Sequence, residues 1–201
     1  MDYKRKQTET DAGRRKLVLG FLGLGGLGIL ASVVSLVKSV VPTKSAKGGY
    51  LSTVAAGDRL VYADGDKKDQ VVRIDDIKIG DGFLAYPQNK GDNQANLVLV
   101  VRLHPEDFLP PTHSEWTVSG LAVYSALCTH LSCTVSWDKK AQLDGSEIQC
   151  FCHNSVFEPR RGAKVLAGPA PSPLTQLPVT VNAQDELTVQ GAFDGPIGPQ
   201  V

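Results

Sequence analysis

The chain has 201 residues, of which 42% are hydrophobic and 21% are charged, and its formal net charge is zero. This length and composition predict one globular domain with an appendage and exclude a strongly basic chain, so no nucleic-acid partner is expected. The balance hides an asymmetry. Residues 1–16 contain six basic and three acidic residues, which leaves 15 basic and 18 acidic residues in the remainder.

The first predicted element is a membrane anchor. Residues 17–37 form a stretch of 21 residues without a charge. A helix of this length spans about 31 Å, which is enough to cross a hydrocarbon core of about 30 Å. The basic residues before it place residues 1–16 in the cytoplasm by the positive-inside rule. A cleaved secretory signal is the alternative, but its apolar region is typically about 7 to 15 residues long.

Two arginines, Arg14 and Arg15, directly precede the apolar stretch. They resemble a twin-arginine signal, which directs the export of folded proteins. Gly13, Leu17 and Val18 depart from the usual motif. Two arginines placed by the positive-inside rule explain the same residues.

Residues 38–50 are rich in small residues and contain Pro42, Gly48 and Gly49, which predicts a flexible tether. The rest of the chain, residues 51–201, is predicted to be a nearly all-β head, because no long stretch shows a 3.6-residue apolar period. Short apolar or alternating runs between turn residues predict the strands. They are Arg59–Ala63, Val71–Ile74, Phe83–Tyr86, Leu97–Leu103, Leu121–Ser125, Thr134–Trp137, Glu147–Phe151, Leu177–Val181 and Glu186–Val189.

Two short boxes hold all four cysteines and two of the four histidines: Cys128-Thr-His130-Leu-Ser-Cys133 and Cys150-Phe-Cys152-His153-Asn-Ser155. Each box supplies one Cys/His pair and one spare cysteine. Pairs of this kind suit an iron cluster held by two thiolates and two imidazoles, because the iron with neutral histidine ligands accepts an electron at a higher potential. Structural zinc and two plain disulfides are the alternatives. Zinc fingers, however, usually pair Cys with Cys and His with His.

The two boxes resemble those of the Rieske iron–sulfur proteins of quinol:cytochrome c oxidoreductases, the cytochrome bc-type complexes. The resemblance implies mainly antiparallel β-sheets, with a cluster-binding subdomain inserted at about residues 126–175 and one transmembrane helix before the head. It implies one 2Fe–2S cluster, with Cys128 and Cys150 on one iron and His130 and His153 on the other. It also implies a disulfide between Cys133 and Cys152, and hence an oxidising compartment.

The resemblance extends to residues around the ligands. Ser155 matches a serine that donates a hydrogen bond to a bridging sulfide, and Gly168-Pro169 begins a proline loop that covers the cluster. Phe157 stands where the high-potential branch has a tyrosine that hydrogen-bonds a cysteine sulfur. One donor fewer predicts a lower potential and suggests menaquinol as the substrate.

Four positions depart from the family pattern. Ser132 and Asn154 replace glycines, Phe151 replaces a proline, and Phe157 replaces the tyrosine. Asn accepts a positive φ more readily than Ser, so Asn154 is expected to keep its turn and Ser132 to be the less comfortable of the two.

In function, the resemblance implies the electron-transfer subunit of a membrane quinol:cytochrome c oxidoreductase. His153, at the tip of the head, would hydrogen-bond a quinol bound in the cytochrome b subunit, and His130 would coordinate the same iron. The head would then carry the electron to a c-type cytochrome. The expected location is the bacterial cytoplasmic membrane, with a single span and the head on the outer or periplasmic face.

Two other functions fit parts of the pattern. The small Rieske subunit of an arsenite oxidase has the same cluster, but the predicted spanning helix and long tether favour the quinol function. A zinc-stabilised, membrane-anchored binding module would need no cytochrome partner and would contain no iron.

Overall fold

The computed structural model describes residues 50–139 and 147–199. The predicted cytoplasmic segment 1–16 with its twin arginine, the transmembrane helix 17–37 and the tether up to residue 49 lie outside the described residues. Within the described ranges, no helix is long and apolar enough to cross a membrane.

The described residues form three antiparallel sheets, which confirms the predicted mainly β fold. The base sheet has the order β1–β2–β3–β4 and the second sheet is the hairpin β9–β10. The third, which we call the cluster sheet, has the order β5–β6–β7–β8. The strands are β1 Leu60–Tyr62, β2 Gly82–Pro87, β3 Val98–Arg102, β4 Leu121–Ser125, β5 Ser136–Asp138, β6 Glu147–Cys150, β7 Ser155–Glu158, β8 Lys164–Ala167, β9 Val179–Val181 and β10 Leu187–Val189.

The helices of the described ranges are single 3-10 turns in the connections. They are Ile74–Asp76, Gln94–Asn96, Pro105–Asp107, Ser114–Trp116 and Pro159–Arg161.

Two hydrophobic cores lie on opposite faces of the base sheet. Side chains alternate along β3, so Leu99 and Val101 belong to the core shared with the cluster sheet, whereas Val98 and Val100 belong to the core shared with the hairpin. The same alternation holds in β4, where Tyr124 faces the cluster sheet. A strand buried on both faces reads as a continuous apolar run. This explains why residues 97–103 show no alternation in hydropathy.

The sequence-based strands differ from the structure in three places. The predicted strand Val71–Ile74 is wrong, since Val71 and Arg73 make only single bridges and Ile74 begins a 3-10 turn. Strands β7 and β8 were not predicted. Their pairing contains a register shift at Val156/Phe157, and half of β8 is exposed. In β7 the two buried residues are Ser155 and Phe157, one polar and one apolar, so the hydropathy of this segment does not alternate although its burial does.

Trp137 joins the cluster sheet to the base sheet. Its indole Nε1 donates to the carbonyl oxygen of Gly80 at 2.9 Å. Its ring packs on Gly82 so closely that a Cβ at that glycine would overlap the indole. Gly82 in β2 therefore makes room for the β5 side chain that orients the cluster sheet.

Candidate metal centre

The first ligand loop, residues 128–133, is closed by its own backbone. The Cys128 amide donates to the Cys133 carbonyl at 2.9 Å, and the Ser132 amide donates to the Cys128 carbonyl at 3.0 Å. Ser132 has a φ of 64°, the left-handed conformation that this tight turn requires. The loop thus holds Cys128 and His130 in one turn, although Ser132 carries the cost of a side chain in that conformation.

The second ligand loop, residues 150–155, is the turn of the β6–β7 hairpin. Cys150 and Ser155 are paired across the two strands, and four residues connect them. Asn154 has a φ of 58° at the end of this turn. The hairpin buries Cys150 and Ser155 at its base and leaves His153 exposed at its tip.

A disulfide between Cys133 and Cys152 joins the two ligand loops, with their Cα atoms 6.5 Å apart. Cys128 and Cys150 remain free and are both buried. The sulfurs of Cys133, Cys150 and Cys152 lie within 4.8 Å of one another. Because two of these three sulfurs are bonded to each other, only Cys150 among them has a free thiol with which to bind a metal.

The two histidines of the boxes also meet. The ring centroids of His130 and His153 are 4.7 Å apart and the rings are nearly perpendicular, at 89°. Nδ1 of His130 is buried and has no hydrogen-bond partner among the described residues. Buried nitrogens without a partner are uncommon, and coordination to a metal would satisfy this one.

Two buried thiols, a buried imidazole nitrogen without a partner and a second, exposed imidazole fit a 2Fe–2S cluster. Cys128 and Cys150 would hold one iron, and His130 and His153 would hold the other. The structure brings all four side chains of the predicted ligand set to one end of the head. The assignment of each residue to an iron stays a prediction.

The Cys128 thiol responds to its surroundings. Burial raises the pKa of this thiol, and the neighbouring Cys150 thiol raises it further. The backbone of His130 and the hydroxyl of Ser155 act in the opposite direction, because hydrogen bonds to the thiolate lower its pKa. Metal binding needs the thiolate, so loading of this site releases protons.

The proline loop, residues 168–173, is hydrogen-bonded to both ligand loops. The Ala170 amide donates to Ser155 Oγ at 3.1 Å, and Thr129 Oγ1 donates to the Ser172 carbonyl at 2.7 Å. Gly168 lies against the backbone of Asn154 and Ser155, where a Cβ would come within 2.5 Å of Ser155 Cα. The loop therefore fixes both ligand loops from one side.

The remaining predicted site residues lie in two different environments. Phe157 is fully buried in the core that also contains Cys128 and Cys150. Pro169 is exposed, as is Gly168. Thr129 could not be predicted as a site residue, because nothing in the sequence pattern shows that its hydroxyl meets a carbonyl 43 residues further along the chain.

The tip of the head is apolar as well as exposed. Leu131 in the first ligand loop is 61% exposed and Phe151 in the second is 62% exposed. They are the two most exposed large hydrophobic side chains of the described residues. Together with His153 they form what we call the tip surface.

Comparison with known proteins identifies the family. The model of the Rieske [2Fe-2S] domain matches residues 95–178. A candidate respiratory nitrate reductase Rieske subunit of Haloferax mediterranei is 31% identical over 195 residues, which cover 96% of this chain and 83% of that protein. The chain belongs to the Rieske family. Its cofactor is a 2Fe–2S cluster, and its role is electron transfer.

A further relative and a solved structure are also similar to this chain. The cytochrome bc1 complex Rieske iron-sulfur subunit of Streptomyces coelicolor is 28% identical over 98% of this chain, which spans 56% of that protein's length. Among solved structures, a chain of a hyperthermophilic respiratory Complex III has 19% identity and a TM-score of 0.40, covering 84% of this chain and 97% of that chain.

Proposed function

We propose that this Rieske protein is the electron-transfer subunit of a membrane quinol:cytochrome c oxidoreductase. The tip surface is the observation that carries the proposal. His153 exposes its imidazole in a ligand loop that the disulfide joins to the other ligand loop, and each of the two loops also exposes one large apolar side chain, Leu131 or Phe151. An apolar molecule with a hydroxyl group, such as a quinol, matches both properties of this surface.

Each ligand residue has a separate task in this proposal. Cys128 and Cys150 hold one iron and His130 and His153 hold the other. The bound cluster supplies the capacity to accept and donate one electron. The ring nitrogen of His153 that does not bind iron would accept a hydrogen bond from the quinol hydroxyl when it carries no proton of its own, and it would then take up the quinol proton. The disulfide between Cys133 and Cys152 keeps the two imidazoles together.

The surroundings of the ligands tune the site. Ser155 donates a hydrogen bond toward sulfur and raises the potential. Phe157 has no hydroxyl to donate, so the potential lies below that of relatives with a tyrosine there. This favours menaquinol as the substrate. Gly168 and Pro169 belong to the quinol-facing edge of the proline loop.

The proposed partners follow from this function. The tip surface docks into a cytochrome b subunit, and a c-type cytochrome accepts the electron. Residues 1–16 lie in the cytoplasm, residues 17–37 span the bacterial cytoplasmic membrane, and residues 38–50 are the hinge of the head, residues 51–201. The head, with the cluster-binding part at about 126–175, stands on the outer or periplasmic face after twin-arginine export.

A second candidate comes from the Haloferax mediterranei relative, whose name assigns it to a respiratory nitrate reductase. Under this alternative the head passes its electron to a nitrate-reducing subunit. The two functions differ in the acceptor, and an assay of the native complex can separate them.

The test uses membranes that contain the full chain in its complex. Quinol-dependent reduction of cytochrome c is measured for the wild type, for Leu131→Asn and for Phe151→Asn, with the cluster followed by its EPR signal. We expect both variants to keep the signal and to lose most of the activity. Ile79→Asn is the matched control, because Ile79 is also an exposed apolar residue but lies outside the ligand loops. Reduction of nitrate without reduction of cytochrome c would support the second candidate instead.

A further inference from the structure

The C-terminal segment, residues 190–198, is fastened to the head along its length. The backbone amide of Gln190 donates a hydrogen bond to the Pro178 carbonyl at 2.8 Å. Asp194 and Gln176 exchange two hydrogen bonds. The backbone amide of Gln176 donates to Asp194 Oδ1 at 2.8 Å, and the backbone amide of Asp194 donates to the backbone carbonyl of Gln176 at 3.1 Å. The amide of Tyr50 then donates to the Ile197 carbonyl at 3.0 Å. This segment therefore ties Tyr50, the first residue that the structure describes, to the last described residues of the head.

Three distant parts of the chain meet at Gly198. This residue is buried and has a φ of 71°. A Cβ placed on it would lie 2.8 Å from Cδ2 and 3.1 Å from Cε2 of the Tyr50 ring, and 3.5 Å from Ser132 Oγ. The ring of Tyr50 thus packs directly on the glycine backbone, and the side chain of Ser132 approaches the same position.

Ser132 connects this contact to a predicted iron ligand. Its amide donates to the Cys128 carbonyl, and the Cys128 amide donates to the Cys133 carbonyl. The first ligand loop is a closed ring of few residues, so a displacement of Ser132 must move the backbone of Cys128 or break one of these bonds. A positive φ at Ser132 adds strain that neighbouring contacts have to hold in place.

We propose that Tyr50 is a positioning residue, which through Gly198 and Ser132 sets the first ligand loop and hence the environment of the cluster. The proposal rests on the proposed function, in which residues 38–50 are the hinge, because Tyr50 is then the point where the hinge joins the head. The contact gives hinge movement a direct route to the site of electron transfer. The positioning role of Tyr50 can be tested on the midpoint potential and the spectrum of the cluster, without turnover of quinol.

The first experiment compares Tyr50→Ala with Tyr50→Phe in the full chain carrying its cluster. Phe keeps the ring carbons that pack on Gly198, whereas Ala removes them. Since Tyr50 is 39% exposed, we expect both variants to fold. We expect Tyr50→Ala to shift the midpoint potential and the g values of the reduced cluster, and Tyr50→Phe to match the wild type. Identical spectra and potentials in all three proteins would overturn the proposal.

The second experiment adds a methyl group instead of removing a ring. Gly198→Ala forces a Cβ against Tyr50, and Gly65→Ala is its matched control. Gly65 has nearly the same φ, 72°, but has nothing within 4 Å of the added Cβ. Both variants bear the same backbone strain, so both are expected to lose stability. Only Gly198→Ala should shift the potential relative to its control, and the additional shift that Gly198→Ala causes should be smaller in a Tyr50→Ala chain, which lacks the ring that the added Cβ meets.

Failure of this proposal and failure of the proposed function remain distinguishable. A protein that reduces no cytochrome c but shows the expected spectral shifts would refute the quinol function and retain the positioning role of Tyr50. Normal activity with equal potentials in Gly198→Ala and Gly65→Ala would refute the positioning role alone.

Discussion

Ser155 uses one hydroxyl group for two partners. Its oxygen accepts the Ala170 amide at 3.1 Å, and its own proton remains available for a sulfur atom. The hydroxyl already lowers the pKa of the neighbouring Cys128 thiol. The residue is fully buried, so water cannot replace either bond.

We expect Ser155→Ala to lower the midpoint potential, because the reduced, more negative cluster loses a donor. A hydrogen bond contributes about 1 kcal/mol, which corresponds to roughly 40 mV for a one-electron couple. Protein-film voltammetry measures the change. Ser125→Ala is the control, since Ser125 is also buried and its Oγ also accepts a backbone amide, that of Leu127. An equal shift in both variants would show that the effect is not specific to Ser155.

Phe157→Tyr is expected to act in the opposite direction. Phe157 packs in the same core as Cys128 and Cys150, so a hydroxyl on its ring is placed within that core. If it donates to a cysteine sulfur, the potential rises by a similar amount, roughly 40 mV. A hydroxyl without a partner would instead cost about 1–3 kcal/mol of stability. Denaturant unfolding measured beside voltammetry separates these outcomes, and a lower stability with an unchanged potential would contradict the prediction.

At the scale of elements, the two ligand loops and the proline loop stabilise one another. The disulfide joins the ligand loops, Thr129 bonds the first of them to Ser172, and Ser155 bonds the second to Ala170. Each loop alone is short and contains a strained residue, Ser132 or Asn154. Their mutual bonds hold the four candidate ligands together.

Removal of the disulfide by Cys133→Ala with Cys152→Ala should destabilise the head by about 3 kcal/mol, since the bridge closes a loop of 19 residues. We expect the cluster to be lost faster as well. Iron release and thermal unfolding are the measurements. Thr129→Val keeps the disulfide and removes only one hydrogen bond, so its cost should be about 1 kcal/mol. Unchanged iron retention in the double variant would argue against the bracing role.

The sequence was informative about the loops and less so about what surrounds them. The spacing of Cys and His predicted that each box is a tight turn, because ligands one or two residues apart converge only if the backbone turns sharply, and the resemblance to the Rieske family supplied the four-residue ligand set. The bonds from Thr129 to Ser172 and from Ala170 to Ser155 could not be predicted, since both use a backbone group distant in sequence. Strands β7 and β8 were missed for a related reason. Their pairing is irregular and depends on the hairpin before them rather than on a hydropathy pattern.

At the scale of the whole molecule, buried groups with raised pKa values make the head sensitive to alkali. Burial raises the pKa of the Cys128 thiol and, more strongly, that of the Tyr124 phenol, whose hydroxyl donates to the Pro159 carbonyl at 2.7 Å. In the unfolded chain these groups ionise near their ordinary pKa values, about 8.5 and 10. Above those values the unfolded state holds fewer protons than the folded state, so stability falls as the pH rises.

The full chain freed of iron by a chelator should therefore lose stability progressively above about pH 8.5. Cys128→Ala is expected to reduce the loss of stability that begins above about pH 8.5, and Tyr124→Phe is expected to reduce the loss above about pH 10. The cluster-bearing protein should lack the first of these losses, because its ligand thiols are already deprotonated. Chemical unfolding at a series of pH values measures all four proteins. If the free energy of unfolding of the iron-free wild type did not change with pH, the attribution of the decline to Cys128 and Tyr124 would be wrong.

The connectivity at the end of β4 has a consequence for how such a head can be divided. The chain leaves the base sheet at Ser125 and returns at Gln176 to a place beside its exit: the Ser125 amide donates to the Thr175 carbonyl at 2.9 Å, and the Leu177 amide donates to the Val123 carbonyl at 2.8 Å. By topology, the intervening segment is a cassette that a short turn could replace. The packing of this segment against the base sheet, however, means that it cannot be replaced in this way. Excision would expose Tyr124 and the neighbouring apolar side chains on that face of the sheet. The remaining domain would keep its strand order but would carry an exposed apolar surface that is prone to aggregation.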